Sequence, residues 1–321
     1  MKQSNQIRLI LLGITLSIIS SFPSQGQSTR VNKDFKIYFT LRENEDENAR
    51  VVSYDGKELV DFKVQNGKSS RGENKPSVSS DGKWIVFNTY QFGGWKAAIS
   101  SIDGSAIRQV SKSSNYSGFP SFSQDNQWIV FYEHENGRMG NRDIYKIRVD
   151  GTEKTRLTQN SKHHYYPAFS PDGSKIAFVS AREGGNYEVF VMNSDGSEPK
   201  NITKNVSHES CPSWSPDGKR LAFLSIRDGY LNLYTMNPDG SGLKNVTNNQ
   251  KRESNQFIQT AQSVDELSYM YGTSWSPDGK QIVFVQKMGE LQKLFIVDTD
   301  GKNLRELVET KGEQTNPNWA K

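Results

Sequence analysis

One unit recurs along this chain of 321 residues and limits what it can fold into. In its clearest copy, residues 165 to 203, it reads YYPAFSPDGSKIAFVSAREGGNYEVFVMNSDGSEPKNIT. The pattern predicts four short strands. Ala168 to Ser170 is the first, closed by the turn Ser170-Pro171-Asp172-Gly173, where Pro presets φ, Asp bonds the backbone and Gly supplies positive φ. Lys175 to Ser180 is the second and is apolar on both sides, as in a strand covered on both faces. Tyr187 to Met192 is the third, Asp195-Gly196 the next tight turn, and Lys200 to Thr203 the outer strand. Such a sheet has two apolar faces and needs a neighbour on each.

The neighbours are in the sequence. Copies open at Pro76, Pro120, Pro167, Pro212 and Thr273, spaced by 44, 47, 45 and 61 residues. A sixth copy is split. Lys36 to Thr40 aligns with a second strand but has no first strand before it, while Asn316-Pro317-Asn318-Trp319 begins a copy and stops. The fragments complement each other, so the two ends of the array meet in one sheet. The expected fold is all-β: a six-bladed β-propeller of four-stranded antiparallel blades, its ring closed by the C-terminal strand pairing with the N-terminal blade.

Residues 1 to 26 stand apart from the array. Lys2 and Arg8 precede an apolar run from Leu9 to Ile19, too short to span a bilayer comfortably, and Ser24-Gln25-Gly26 offers small residues for cleavage. This segment reads as a cleaved secretory signal, which leaves residues 27 to 321 as one propeller domain. The expected location is periplasmic or secreted, with no stable membrane span after cleavage. Removing the signal takes two cations and no acid, so the formal charge falls from +4 to +2. That near balance argues against a nucleic-acid partner. The single cysteine, Cys211, forms no internal disulfide, so stability rests on a large core.

The Pro-x-Phe/Trp-Ser-Pro-Asp-Gly-Lys units and Met-Asn-x-Asp-Gly-Ser turns, over residues 36 to 319, resemble the WD40-like repeats of TolB-type periplasmic propellers. That resemblance implies a non-catalytic interaction module of the cell envelope, without the α/β domain that precedes the propeller in TolB. The repeats are also similar to those of oligogalacturonate lyases, which implies the alternative of a metal-dependent polysaccharide lyase working at the channel mouth.

Within the array, the turns joining strands one to two and three to four are short and uniform. The loops joining strands two to three, and the links between blades, share the opposite face and vary. The link from Thr247 to Thr273 is 17 residues longer than its equivalents. A loop that breaks a regular array is a place to look for function. The expected partner-binding face therefore holds His163, His164, His208 and Glu209 in blade links, Tyr269 and Tyr271 in the long link, and Trp95 and Arg138 in strand-two-to-three loops. His163 and His208 occupy the same repeat position, and with His164 and Glu209 they form the one candidate set of metal ligands. No hydrolase, zinc-protease or phosphate-loop motif occurs, so no catalytic residue and no cofactor is expected. The expected partner of this monomer is a cell-envelope protein, or a glycan.

Overall fold

The computed structural model describes residues 35–320 except 45–46, 66–68, 136–139, 160–162, 183–184, 249–271 and 289–290. Among the described residues the chain forms six four-stranded antiparallel sheets. Blade 2 is β4 to β7 (Glu73–Val78, Trp84–Thr89, Lys96–Ser101, Arg108–Gln109). Blade 3 is β8 to β11 (Ser117–Phe122, Trp128–His134, Arg142–Arg148, Thr155–Arg156), and blade 4 is β12 to β15 (His164–Phe169, Lys175–Ser180, Glu188–Asn193, Lys200–Asn201). Blades 5 and 6 follow as β16 to β19 (Glu209–Trp214, Leu221–Ser225, Asn232–Met236, Lys244–Asn245) and β20 to β23 (Thr273–Trp275, Gln281–Met288, Leu291–Asp298, Arg305–Glu306). Blade 1 combines β1 to β3 (Lys36–Arg42, Arg50–Tyr54, Leu59–Asp61) with the last strand, β24 (Glu313–Ala320), in the order β24-β1-β2-β3. Ile37 pairs with Trp319 and Tyr38 with Asn318, so the C-terminal strand closes the ring as expected.

The repeated residues explain the repeated geometry. In blade 4, Ser170 Oγ donates to Asp172 Oδ1 at 2.6 Å and accepts from Lys175 N at 2.9 Å, while Asp172 Oδ1 also accepts from Ser174 N at 3.0 Å. Ser79, Ser123, Ser215 and Ser276 repeat this bond to the Asp two residues on. The hairpin is thus fixed by side chains within the turn itself. At the other turn, Gly196 has φ +90°, and a Cβ there would lie 2.6 Å from the Leu157 carbonyl oxygen of the preceding blade. Glycine is needed for close approach between blades as well as for the turn itself. In blades 3, 4 and 5 a Thr just past the outer strand accepts from a third-strand amide: Ile144 N to Thr158 Oγ1 at 2.9 Å, Val189 N to Thr203 at 3.0 Å and Leu233 N to Thr247 at 3.1 Å.

The second strands carry the core. Ile85 to Phe87, Ile129 to Phe131, Ile176 to Phe178, Leu221 to Phe223 and Ile282 to Phe284 are buried. Their contacts run from blade to blade: Val130 and Ile144 pack with Ile176 and Phe178, and Val283 and Val285 pack in one cluster with Ile37 and Phe39. The aromatic position two residues after the opening Pro forms inter-blade wedges. Phe122, Trp275 and Trp319 are buried, whereas Phe169 and Trp214 are half-buried, because this position rims the channel mouth on the uniform-turn face. Trp214 Nε1 still reaches back to Ala168 O, and Trp275 Nε1 to Ser213 O, both at 3.1 Å.

The first strand differs from its expected span. β12 begins at His164, four residues before Ala168, and a register shift interrupts its pairing with β13 between Tyr165 and Ala168. Blades 2, 3 and 5 carry the same bulge. The residue before each Pro is in the left-handed region: Lys75, Phe119, Tyr166, Cys211 and Asn316 all have φ between +52° and +58°. A bulge leaves one residue out of the ladder, so a Pro there gives up no sheet hydrogen bond.

Candidate functional site

The bulges set the shape of the central channel. Lys75, Phe119, Tyr166, Cys211 and Asn316 line a waist cavity of about 120 Å³. On the uniform-turn side it opens into a mouth of about 600 Å³ walled by serines, prolines and the wedge aromatics, with no charged residue among its described lining. Cys211 is buried and burial pushes its thiol up to about 12, so it is held as an unreactive apolar group.

The variable side is different. A cavity of about 480 Å³ lies there, built from the starts of β4, β8, β10 and β24 and the ends of β1, β5 and β9. Its aromatic wall comes from Tyr90, Trp95, Tyr116 and Tyr132. Tyr90 and Trp95 meet edge to face at 5.6 Å, and the hydroxyls of Tyr90 and Tyr116 are 3.4 Å apart. Cations lie against these rings. The Arg71 guanidinium is 4.8 Å from the Tyr90 centroid, and Arg142 is 5.8 Å from Tyr132 and 4.7 Å from Tyr165. Lys75 Nζ stands 3.1 Å over Phe119. Burial holds the Lys75 ammonium well below its ordinary range; the Cys211 thiol works against that shift and Arg142 adds to it. Arg142 Nε donates to His134 Nε2 at 3.1 Å, which places the proton of a neutral His134 on Nδ1. Arg42 is paired with Glu313 across the blade 1 seam.

Of the residues expected on this face, Trp95 lies in the cavity wall. His163 and His164 belong to blade 4, and His208 and Glu209 to blade 5, and each finds separate local partners. His164 is fully buried, edge-on to Phe178, with Nε2 3.9 Å from Asp143 Oδ1. Burial, with Arg182 and His163 nearby, lowers its pKa to about 3, so it stays neutral. His208 Nδ1 accepts from Tyr187 N at 3.1 Å. Glu209 is buried, accepts from Ser225 Oγ at 3.1 Å and Arg227 Nη2 at 2.9 Å, and burial raises its pKa to about 7 against the pull of Arg227. His164 and Glu209 share one repeat position, three before the opening Pro, which pairs with the end of the second strand: His164 opposite Ser180, Glu209 opposite Ser225. That position points into the blade packing, so neither side chain is presented to a partner. Among the described residues, no three His, Cys, Asp or Glu side chains converge as a metal site requires. Arg138, Tyr269 and Tyr271 lie outside the described residues.

Arg71, Lys75, Tyr116 and Arg142 are the cavity residues that the sequence reading missed. Lys75 alone carries a signal, as the residue before an opening Pro. The other three sit where the repeat imposes no residue type.

Comparison with known proteins agrees with the architecture. The family model described as the TolB beta propeller domain matches residues 34–187 and 160–270. A protein TolB homolog of Chlorobium chlorochromatii is 32% identical over 108 residues, which is 33% of this chain and 23% of that relative. This chain therefore matches less than a quarter of that curated relative's length. TolB from Acinetobacter baumannii superposes with a TM-score of 0.69 at 20% identity, covering 90% of this chain and 67% of that one. An oligogalacturonate lyase from Vibrio parahaemolyticus shares the fold more loosely, with a TM-score of 0.55 at 14% identity over 83% of this chain and 72% of that one. The weaker likeness and the separated histidines leave the lyase alternative without support from the residues.

Proposed function

This chain belongs to the TolB beta propeller domain family, and from that premise we propose that it is a non-catalytic, exported module that binds a protein partner of the cell envelope through its variable face. Its N-terminal 26 residues act as the cleaved signal, and the propeller works as a monomer. Among the described residues no helix is long and apolar enough to cross a membrane. The observation that carries the reading is the 480 Å³ cavity with its wall of tyrosines, a tryptophan and arginines. These are the residue types that dominate interface energetics, because they bury much area for little lost side-chain freedom. The opposite mouth is larger but has no charged residue among its described lining.

The test is affinity capture from envelope extracts. Trp95→Ala, which removes an anchor from the cavity wall, should cut capture of the partner at least tenfold in a protein that still folds. Lys219→Ala and Lys280→Ala, at exposed positions on the uniform-turn face, should leave capture unchanged. Capture lost with the Lys changes and kept with Trp95→Ala would move the working surface to the other face.

A further inference from the structure

Away from the channel, the cleft between blades 2 and 3 on the uniform-turn face holds a tryptophan that its repeat equivalents do not explain. The position five residues after the Ser of the first turn opens the second strand, and it carries Trp84, Trp128, Lys175, Arg220 and Gln281 in blades 2 to 6. In blades 3 to 6 this side chain is engaged. Lys146 and Arg148 lie over the Trp128 ring at 5.0 and 4.7 Å, and Lys175 Nζ donates to Asn193 Oδ1 at 2.6 Å. The Arg220 guanidinium lies 4.9 Å over Trp275, and Gln281 Nε2 donates to Asp298 Oδ1 at 2.9 Å. Trp84 has no such cover. By strand pairing, Ile99 and Ser101 stand in blade 2 where Lys146 and Arg148 stand in blade 3, so the two cations are absent there. Trp84 is 37% exposed; among the described residues its ring meets no cation or second ring, and its Nε1 finds no acceptor. A tryptophan with a bare face and a free N–H is amphipathic in the way that binding surfaces use.

The cleft has a volume of about 390 Å³, and blade 3 contributes Asn126, Gln127 and Asp150 to it from its two turns. Part of its polar chemistry is spent within the fold. Asn126 Oδ1 accepts from Ser80 N, Asp150 Oδ1 accepts from Thr152 N, Arg108 bridges to Val149 O, and Arg148 pairs with Glu153. Two donors, Trp84 Nε1 and Asn126 Nδ2, and two acceptors, Gln127 Oε1 and Asp150 Oδ2, have no partner among the described residues. Charge is balanced as well: Glu153 answers Arg148, and Arg108 and Asp150 offset each other. A proline-rich peptide docks in a groove lined by several aromatic rings, and only one ring lies bare here. A neutral pyranose matches what is present, with a C–H face for the indole and hydroxyls that both donate and accept. We propose that this cleft binds a neutral sugar residue of a glycan chain, its ring stacked on Trp84 and its hydroxyls meeting Asn126 Nδ2, Gln127 Oε1 and Asp150 Oδ2. The site lies apart from the variable-face cavity and stands whether or not that cavity binds a protein.

The test is a saturation-transfer NMR titration of the full mature chain with cellotetraose, chitotetraose, mannotetraose and maltotetraose. Trigalacturonate and octaproline stand for the acidic and the proline-rich alternatives. At least one neutral sugar should bind, with an affinity that does not change between 50 and 300 mM salt, since no net charge is involved. Trp84→Ala should weaken that binding at least tenfold and Gln127→Ala at least threefold. Lys219→Gln, at an exposed position on the same face, should leave it unchanged. Should Trp84→Ala fail to fold, Trp84→Gln decides, because blade 6 carries Gln at the equivalent position. The proposal is overturned if none of the neutral sugars binds or if Trp84→Gln binds them as wild type does. It is also overturned if trigalacturonate or octaproline binds more tightly than every neutral sugar and loses that binding with Trp84, which would assign the cleft to an acidic glycan or to a proline-rich peptide.

Discussion

Cutting the chain before Asn316 removes the inner half of β24 and with it the closure of the ring. The lost pairs are Lys36 with Ala320, Ile37 with Trp319 and Tyr38 with Asn318, whereas Thr40, Leu41 and Arg42 keep theirs with Thr315, Gln314 and Glu313. Trp319 is 8% exposed and packs in the cluster that joins blades 1, 5 and 6, edge-on to Phe35. Removing a buried aromatic of that size costs about 3–5 kcal/mol. Asn318 Oδ1 accepts from Val78 N at 2.9 Å, and an amide left without that acceptor costs about 1–3 kcal/mol more. The sum, about 4–8 kcal/mol, is a large share of the net stability of a typical domain, about 5–15 kcal/mol.

Two proteins separate the contributions. Trp319→Ala alone should lower Tm by roughly 6–10 °C, taking about 2 °C per kcal/mol at this chain length. Deletion of residues 316 to 321 should lower it further and produce oligomers, because it bares the inner edge of β1. Thermal melting by circular dichroism and size-exclusion chromatography read both effects. A truncated protein that stays monomeric and melts within two degrees of the full chain would refute the shared blade.

The wedge tryptophans differ in a way that Phe substitution exposes. Trp214→Phe and Trp275→Phe each lose an Nε1 bond to the preceding blade and should cost about 1 kcal/mol, whereas Trp319 Nε1 has no acceptor among the described residues and Trp319→Phe should be the mildest of the three in urea unfolding. His164 is neutral when folded, with its pKa near 3 against 6.5 in the unfolded chain, so its contribution is complete above pH 6.5 and is lost as pH falls; between pH 7 and 4.5 the wild type should lose about 3 kcal/mol relative to His164→Gln. Glu209 has the opposite sign, because its folded pKa of about 7 exceeds 4.5: stability present below pH 4.5 is lost as pH rises through 7, and from pH 4.5 to 8 the wild type should lose about 3 kcal/mol relative to Glu209→Gln. Gly196→Ala should destabilise by more than an exposed-turn substitution, since it meets both positive φ and the Leu157 carbonyl, and a Tm within a degree of wild type would show that the blades do not meet there.

Much of the fold was legible in the sequence because it is repeated. The second strand of blade 4 runs from Lys175 to Ser180, as its apolar pattern indicates, since burial on both faces leaves no polar residue inside it. Closure was legible because two fragments completed each other. The first strand was not, since its bulge inserts an unpaired residue and breaks the alternation that marks a strand; only the Pro after it leaves a trace. The face carrying the variable loops was legible, but its side chains were not. Repeat equivalence drew attention to His163 and His208 and through them to their neighbours His164 and Glu209, which share a repeat position of their own that is a packing position. Trp95 was visible as an aromatic in an irregular loop. Arg71 and Arg142 were not, because a cation near a strand end looks like any solvated one until the fold sets it over a tyrosine.

The bulge ring bears on how such a scaffold acquires specificity. A residue in the left-handed region without being glycine costs about 1–3 kcal/mol, and five such residues persist here at one repeat position. Each is followed by Pro, which forgoes no ladder bond there, so the blade pays little beyond the dihedral itself. In return the side chain before Pro leaves the alternation of the pleat and lines the channel axis. Phe119 and Cys211 still pack in core clusters from this position, but the five residues are unlike one another: Lys, Phe, Tyr, Cys and Asn. Lys75 is the one basic residue among the described lining of the waist, and it also floors the cavity that Arg71 and Arg142 border. This position, which accepts five different side chains, thus reaches the candidate site at Lys75, and substitution of Lys75 should redirect binding before it unfolds the propeller.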